Sequence, residues 1–298
     1  MKNYFEKNDD LTRRTVLKGI AASTVLGALN AKAAVDLEAI PRVALNGNIN
    51  HSVSKWCYTG GGKITFEELC AACAKMGIKS VELLNPNELP TLKEYGLTCA
   101  IVSSHSLTKG MNRIENHAEC LEKLRTAIDA AAAHDCPGTI SFPGNREGMD
   151  DDEGIKNTVA GLKQIVGYAE KKGVTINLEY LNSKVNHPDY MFDNMRWGVE
   201  VCREVGSERL KILYDIYHAQ IMEGDIIRTI QQHHEYIGHY HTGGVPGRNE
   251  IDDTQELYYP AIMRAIVATG YQGFVGQEFV PKRDPLTSLA QAIKICDV

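Results

Sequence analysis

The chain has no run of lysine or arginine in its body, and its formal net charge is −6 over 298 residues. A protein that holds a nucleic-acid backbone presents a basic patch or stripe, so this charge balance argues against nucleic acid as a partner. The chain also has no Gly-x-Gly-x-x-Gly motif after its first predicted strand. The sequence therefore does not indicate a dinucleotide-binding Rossmann domain.

The eight cysteines do not form the pattern of a metal or redox site. Cys70 and Cys73 have the Cys-x-x-Cys spacing, but a zinc site of this kind needs a second pair, and the sequence has none. Both lie in a helical pattern, and Cys99, Cys136 and Cys202 lie in apolar or element-edge contexts. We therefore expect buried thiols rather than disulfides.

The N-terminus has an apolar run that is too short to span a membrane, from Gly19 to Leu29. It follows a twin-arginine pattern at Arg13 and Arg14 and precedes a small-x-small cleavage site at residues 31–33. This order is typical of a secretory signal, so residues 1–33 are predicted to be a twin-arginine signal peptide. The protein would then use the twin-arginine export machinery and reside in a bacterial periplasm. The alternative is an amphipathic N-terminal helix with an accidental arginine pair.

Short β-rich runs alternate with helical patterns from residue 41 to residue 298, and no linker or low-complexity stretch divides them. The predicted strands are Arg42–Asn48, Ser80–Leu84, Leu97–Ser103, Gly138–Phe142, Val174–Glu179, Leu210–Asp215, Tyr236–His241 and Gly273–Glu278. The predicted helices cover 65–76, 88–95, 114–134, 153–172, 190–205, 220–235, 255–269 and 285–296. Eight strand–helix units predict an α/β fold in which residues 41–298 form a single (β/α)8 TIM barrel.

Four polar residues close the last four predicted strands: Glu179, Asp215, His241 and Glu278. Their spacings of 36, 26 and 37 residues are close to one strand–helix unit. In a parallel barrel these side chains emerge at one rim, where such folds place their chemistry. Carboxylates and an imidazole at one rim suit one divalent ion, namely Mn²⁺, Mg²⁺, Co²⁺ or Zn²⁺. Taken singly, each has a structural alternative as a helix cap, a salt-bridge partner or a satisfied histidine.

Further candidates lie in the loops that follow the strands. His218 comes three residues after Asp215, where it could contact a substrate oxygen, bind a second metal or cap the next helix. Arg248 in a glycine-rich loop can anchor a carboxylate or hydroxyl, and Arg146 is a similar candidate. His105 and His187 are candidates for the mouth of the site, with solvated loop residues as the alternative.

Several stretches of the chain resemble the hydroxypyruvate isomerase family, part of the xylose-isomerase-like TIM-barrel group that includes the ketose 3-epimerases. They are LEYLN, YDIYH, HTGGVPGRNE, QELYY and GYQGFVGQEFVP. The resemblance covers most of the chain after the predicted signal and is densest from Asn177 to Pro281. It implies that Glu179, Asp215, His241 and Glu278 are metal ligands. It further implies that Glu179 and Glu278 are the acid/base pair and that His218 and Arg248 contact a small sugar or keto-acid substrate.

The chain departs from this family at two places. Hydroxypyruvate isomerases usually carry Gln where this chain has His241, whereas ketose 3-epimerases carry His. The loop SSHSLTKGMNR at residues 103–113 also lacks the glycine- and tryptophan-bearing pattern of hydroxypyruvate isomerases. The expected reaction is therefore metal-dependent isomerisation or epimerisation through an enediolate, with the substrate left open.

Three other functions compete with this interpretation. A metal-dependent lyase or eliminase on a keto-sugar derivative would use the same proton abstraction. An endonuclease-IV-like phosphodiesterase would need an Asp-x-His after strand seven, and residues 248–253 contain none. A non-catalytic sugar-binding barrel would not need both glutamates. Whether the chain forms a homo-oligomer is left open by the sequence.

Overall fold

The protein is described by a computed structural model that covers residues 37–298. The predicted signal peptide at residues 1–33 lies outside this range and stays a prediction. The strands are β1 Asn50–Ser54, β2 Ser80–Glu82, β3 Ile101–Val102, β4 Gly138–Ser141, β5 Thr175–Glu179, β6 Leu210–Asp215, β7 Ile237–Thr242 and β8 Phe274–Gln277.

All strand pairs are parallel, and the eight strands follow the order β2-β1-β8-β7-β6-β5-β4-β3. The two ends of this order meet through parallel bridges that pair Ser80 with Thr98 and Leu84 with Val102. The strands therefore form a nearly closed barrel with helices between them. The predicted TIM-barrel fold is confirmed.

The helices surround the barrel in the order expected from the sequence. They are α1 Lys55–Thr59, α2 Phe66–Met76, α3 Leu89–Glu94, α4 His117–Ala133, α5 Asp151–Leu162, α6 Val166–Lys172, α7 Met195–Val205, α8 Ile216–Met222, α9 Ile226–His233, α10 Tyr259–Ala268 and α11 Pro285–Cys296. Two segments predicted as single helices each contain two helices, because short non-helical stretches separate α5 from α6 and α8 from α9.

Local capping chemistry explains where the better predicted helices start and stop. Thr65 accepts a hydrogen bond from the Glu68 backbone N–H, and the Glu68 side chain accepts one from Thr65, which forms a capping box before α2. Gly77 ends α2 in the left-handed conformation at φ 85°, and Gly173 ends α6 in the same way. Glycine adopts this conformation without steric cost, so the two glycines predict the C-terminal ends of α2 and α6 from the sequence.

The first strand was predicted in the wrong place. Residues 42–48 lie outside the barrel sheet. Their backbone bonds the C-terminal end of the chain instead, where the Leu45 N–H donates to Asp297 Oδ2 at 2.7 Å. The true β1 is more polar, but all its residues except Asn50 are buried. Ser52 Oγ bonds Ser80 Oγ at 2.8 Å inside the barrel, so short hydroxyl side chains fill this strand's inward positions. A hydrophobic pattern does not reveal such a strand.

The thiol prediction is confirmed. All eight cysteines are buried and none forms a disulfide. Between residues 37 and 298, no helix has the length and apolar character that crossing a membrane would require.

Candidate metal centre and active site

The carboxyl ends of β5 to β8 bring four predicted residues together. Glu179 and Asp215 are the last residues of β5 and β6, His241 is the last but one of β7, and Glu278 directly follows β8. One ligand atom from each lies within 4.8 Å of the others, and all four side chains are buried. The pattern of strand ends seen in the sequence is thus a compact cluster in space.

The cluster fits a divalent cation. His241 Nδ1 is buried and has no hydrogen-bond partner in the described part of the chain. It lies 2.7 Å from Glu278 Oε2 and 3.7 Å from Glu179 Oε1, outside hydrogen-bonding geometry. When all three are ionised, the carboxylates carry three negative charges beside the single guanidinium of Arg248, so a cation bound between them has negative charge to balance. Oxygen and imidazole ligands suit Mn²⁺, Mg²⁺, Co²⁺ or Zn²⁺.

Burial gives the ligands unusual proton affinities. Loss of solvation raises the pKa of Glu179 to about 7, although His241 opposes this, and raises the pKa of Asp215 to about 6 against the effect of Arg248. For His241, burial lowers the pKa, but Glu278, Glu179 and Glu82 outweigh burial and hold this pKa well above its usual value. Glu179 and Asp215 are thus protonated more readily than ordinary carboxylates.

Arg248 supplies the cation that compensates part of this charge. Its Nη2 donates to Glu278 Oε2 at 2.6 Å and to Asp215 Oδ2 at 3.0 Å. Burial raises the pKa of Glu278, but Arg248 and His241 outweigh it and hold the pKa well below its usual value. The Arg248 backbone has φ 57°, a left-handed conformation that costs a non-glycine residue energy and often marks functional loops.

His218 is a neutral hydrogen-bond donor beside the cluster. Its Nδ1 accepts hydrogen bonds from the Asn182 backbone N–H at 3.2 Å and from the Asn182 amide at 2.5 Å. Because burial and Arg248 lower the pKa of His218 well below its usual value, its proton lies on Nε2. This Nε2 is buried without a hydrogen-bond partner in the described chain and lies 3.6 Å from Asp215 Oδ2. Within the described chain, His218 belongs to neither group of side chains that could hold a metal ion, which argues against a second metal ligand. It is also not among the residues that line the adjacent cavity, so a substrate contact through this donor is a proposal.

Asp215 itself caps the helix that follows. Its Oδ1 accepts the His218 backbone N–H at 3.2 Å at the start of α8. The structural alternative considered for this residue is therefore real, but it uses one oxygen. Oδ2 still faces Arg248 and the cluster. One side chain serves both purposes because its two oxygens point to different partners.

A cavity of about 430 Å³ opens beside Glu179, Glu278 and Arg248. This volume lies in the range of small-molecule sites. Its remaining lining residues form a wall that is largely apolar with a few hydroxyl and imidazole groups: Trp56, Leu83, Ser103, Ser104, His105, Leu107, Ile140, Phe142, Leu181 and His187. Two histidines predicted for the mouth, His105 and His187, thus line this cavity.

His105 is a satisfied, neutral side chain in this wall. Its Nε2 lies 2.9 Å from Ser141 Oγ, and its Nδ1 lies 3.2 Å from the Ser106 carbonyl oxygen. Burial lowers the pKa of His105 to about 4. The residue shapes the cavity next to Phe142, with the two rings edge to face at 5.8 Å. It carries no charge there at neutral pH.

Arg146 does not join the other predicted substrate contacts. Its guanidinium bonds Asp151, the Met191 carbonyl oxygen at 3.0 Å and Asp193 Oδ1 at 3.1 Å. It is not among the residues that line the cavity. Arg146 is not available to a substrate because these hydrogen bonds occupy its guanidinium. They connect the loop after β4 to residues 191–193.

Three residues of the site, Trp56, Glu82 and His239, are not predicted from the sequence. The Trp56 indole N–H donates to Glu278 Oε1 at 2.8 Å, and Glu82 Oε1 contacts His239 Nε2 at 2.9 Å and His241 Nε2 at 2.5 Å. Trp56 follows β1, the strand that was misplaced. Glu82 ends β2 just as Glu179 ends β5, so the same strand-end signal was present in the first half of the chain.

Comparison with known proteins agrees with this fold. A family model described as a xylose isomerase-like TIM barrel matches residues 70–296. A putative hydroxypyruvate isomerase of Homo sapiens is 25% identical over 226 residues, which cover 76% of this chain and 79% of the relative. A 2-oxo-tetronate isomerase of Pectobacterium atrosepticum is 27% identical over 232 residues, covering 74% and 88%. The isomerase class expected from the sequence is confirmed at this level.

Solved structures share the fold. A family 2 AP endonuclease from Brucella melitensis superposes with a TM-score of 0.72 at 24% identity, covering 82% of this chain and 98% of that one. A D-psicose 3-epimerase gives a TM-score of 0.66 at 16% identity, covering 84% and 96%. An IOLI protein with a bound zinc atom gives 0.64 at 15% identity, covering 83% and 95%. With its barrel and a family model that matches most of its length, the chain belongs to the xylose isomerase-like TIM barrel family.

Proposed function

We propose that the protein is a divalent-metal-dependent isomerase or epimerase that moves a proton beside the carbonyl of a small ketose or 2-oxo acid. The observation that carries the proposal is the buried cluster of three carboxylates and one imidazole, whose ligand atoms lie within 4.8 Å of one another at the cavity. Binding alone does not require two glutamates in such a cluster, whereas proton transfer does.

The cluster would hold one ion through Glu179, Asp215, His241 and Glu278. A divalent ion bound there supplies Lewis-acid chemistry, which polarises a carbonyl and offsets the negative charge of an enediolate. The chain's own residues then handle the proton. One glutamate carboxylate would take the proton from the carbon beside the carbonyl. The electron pair of that C–H bond would form the enediolate double bond, while the π pair of the carbonyl would move onto its oxygen. The other glutamate returns a proton to the opposite face or to the neighbouring carbon.

The two glutamates differ in a way that suits these roles. In the ion-free cluster, burial raises the pKa of Glu179 to about 7, so this glutamate holds a proton more readily than Glu278. Glu278 is held as a carboxylate by Arg248 and by the Trp56 indole N–H. The proposed transfer therefore runs between two environments that favour different protonation states.

The surroundings would orient the substrate and limit water. The Nε2–H of His218 is a buried donor without a partner in the described chain, suited to a substrate hydroxyl or carbonyl oxygen. The apolar side chains of Leu83, Phe142 and Leu181 cover the other wall of the cavity. A low-polarity wall strengthens the electrostatic interactions on the charged side.

The test is metal analysis combined with solvent-deuterium incorporation. Purified protein is loaded with Mn²⁺, Mg²⁺, Co²⁺ or Zn²⁺ and incubated in D₂O with hydroxypyruvate, 2-oxo acids of four carbons and a panel of ketoses. We expect one bound ion per chain and deuterium at the carbon beside the carbonyl of the true substrate. Loss of a leaving group from that substrate would instead support the lyase alternative. A protein that binds no divalent ion would contradict the proposal.

We also propose that residues 1–33 direct export of the folded protein to a periplasm. The twin-arginine pattern, the short apolar run and the cleavage-like Ala31-Lys32-Ala33 support this proposal. The test replaces Arg13 and Arg14 with lysine and follows the protein in cell fractions. Export should stop in the variant, while export that is unaffected would contradict the proposal.

A further inference from the structure

A second group of buried polar residues lies directly behind the proposed metal ligands. Glu82, at the end of β2, is fully buried. Its Oε1 lies 2.9 Å from His239 Nε2 and 2.5 Å from His241 Nε2, both on β7. The His239 and His241 rings meet edge to face at 4.9 Å. A carboxylate from one side of the barrel thus reaches two imidazoles on a strand that is not its neighbour.

The barrel interior is shaped to allow this contact. The strands between β2 and β7 are β1 and β8, and they carry small residues where Glu82 passes. Ser54 pairs with Glu82, and Gly276 pairs with His241. A Cβ atom on Gly276 would lie 2.5 Å from Glu82 Oε1 and 2.8 Å from His241 Cδ2. The absence of a side chain at this position is therefore required by the Glu82–His241 contact.

The contact determines which nitrogen of His241 can bind an ion. A carboxylate accepts hydrogen bonds, so the proton on His241 faces Glu82 from Nε2. Once the imidazole is neutral, as a metal ligand must be, the lone pair of Nδ1 points toward Glu179 and Glu278, at 3.7 Å and 2.7 Å, on the side of the proposed centre. Histidines that bind metals commonly donate their other ring N–H to a carboxylate, which fixes the tautomer and the ring orientation.

We propose that Glu82 is a positioning residue, which fixes the tautomer and orientation of His241 so that Nδ1 binds the metal ion. His239 acts as a second donor that holds the Glu82 carboxylate in place. This inference rests on the proposed function, because it assumes that the cluster of Glu179, Asp215, His241 and Glu278 binds an ion. It assigns a role to a residue of the first half of the barrel that touches neither substrate nor ion.

The test compares Mn²⁺ binding by calorimetry in the wild type, Glu82→Gln and Glu250→Gln. Glu250 is the matched control, since it is also buried but accepts hydrogen bonds from Lys282, Arg283 and Ser288 away from the centre. We expect the Kd for Mn²⁺ to rise about 10- to 100-fold in Glu82→Gln and to stay within twofold in Glu250→Gln. With Co²⁺ bound, the visible absorption bands should shift in Glu82→Gln alone.

The outcomes separate this inference from the proposed function. A wild type that binds one ion together with an unchanged Kd in Glu82→Gln would overturn the inference and leave the function standing. A wild type that binds no ion would overturn both. Two ions per chain, the second lost in Glu82→Gln, would also overturn the inference, because Glu82, His239 and His241 would then be ligands themselves.

A measurement on the wild type covers the case in which Glu82→Gln does not fold. Protein labelled with ¹⁵N-histidine and loaded with Zn²⁺ is studied by long-range ¹H–¹⁵N spectroscopy, and His241→Gln identifies the signals of His241. We expect the proton on Nε2 and the ion on Nδ1. The reverse tautomer, with the proton on Nδ1, would overturn the inference.

Discussion

Arg248 Nη2 lies 2.6 Å from Glu278 Oε2, and this ion pair gives Glu278 a different proton affinity from Glu179, the other glutamate of the site. The pKa of Glu278 is lowered because Arg248 and His241 outweigh the effect of burial. The pKa of Glu179 is raised to about 7 because burial outweighs the effect of His241. The pKa values of two carboxyl groups of the same type are thus shifted in opposite directions at the same cavity.

The first prediction concerns these two glutamates. Glu179→Gln and Glu278→Gln should each reduce solvent-deuterium incorporation by at least about 100-fold, because an amide cannot accept or return the proton. The comparison is made at a metal concentration that saturates each variant, as measured by calorimetry, since both side chains are also proposed ligands. Glu204→Gln, an exposed position on α7, is the matched control and should keep wild-type exchange. Wild-type exchange in either active-site variant would contradict the acid/base roles.

The second prediction concerns pH and metal affinity. An ion must displace the protons held by Glu179, with a pKa of about 7, and by Asp215, with a pKa of about 6, both raised by burial. It must also displace the second proton of His241, whose pKa the neighbouring glutamates hold well above its usual value. Protons and metal compete for these groups, so affinity should fall as the pH falls through this window. Between pH 7.5 and pH 5.5 we expect the Kd for Mn²⁺ to rise by at least about tenfold. Calorimetry in buffers of different ionisation enthalpy should also detect proton release. A constant Kd without proton release would contradict this account.

The sequence predicts the second half of the barrel much better than the first. Strands β5 to β8 are apolar runs that end on a polar residue, so their position and their chemistry follow from one pattern. Strand β1 is buried through Ser52 and Ser54, whose hydroxyls pack inside the barrel, and hydrophobicity does not detect it. Because the sequence places β1 at residues 42–48, it does not indicate that Trp56 lies just after the end of this strand.

Tertiary contacts account for the remaining differences. The sequence cannot indicate that Arg146 is used by Asp193 and the Met191 carbonyl, because these partners are 47 and 45 residues away. Nor can it indicate that Glu82 meets His241, 159 residues away, across two strands. Such pairings depend on register and on small residues such as Gly276, which become informative only in the folded barrel.

The third prediction concerns Trp56. Its indole N–H donates to Glu278 Oε1 at 2.8 Å. Trp56→Phe keeps an aromatic wall but removes this hydrogen bond to a charged group, so kcat/KM should fall by about tenfold, within the range that such bonds contribute. Trp197→Phe is the matched control, since Trp197 is the other tryptophan and is buried in the core. It should lower the free energy of unfolding but leave kcat/KM unchanged. Equal kcat/KM values in Trp56→Phe and the wild type would show that the bond does not matter for turnover.

The fourth prediction separates substrate contacts from metal ligands. His218→Phe removes the buried Nε2–H donor with little change in side-chain shape, so KM should rise by about tenfold or more while the Kd for Mn²⁺ stays unchanged. Asp215→Asn should instead weaken Mn²⁺ binding. Calorimetry and steady-state kinetics on both variants make the comparison. A lower number of bound ions in His218→Phe would favour the second-metal alternative for this residue.

The last prediction concerns Arg146, whose guanidinium bonds Asp151, Asp193 and the Met191 carbonyl oxygen away from the cavity. The side chain is 25% exposed, so solvent weakens these ion pairs, and Arg146→Gln should lower the free energy of unfolding by about 1 kcal/mol. Because the residue does not line the cavity, kcat/KM should not change. Urea unfolding and steady-state kinetics test both parts. Arg248→Gln should behave in the opposite way, with a large loss of kcat/KM, since Arg248 holds Glu278 and Asp215. An increase in KM in Arg146→Gln without loss of stability would restore the substrate-binding role that the sequence predicted for Arg146.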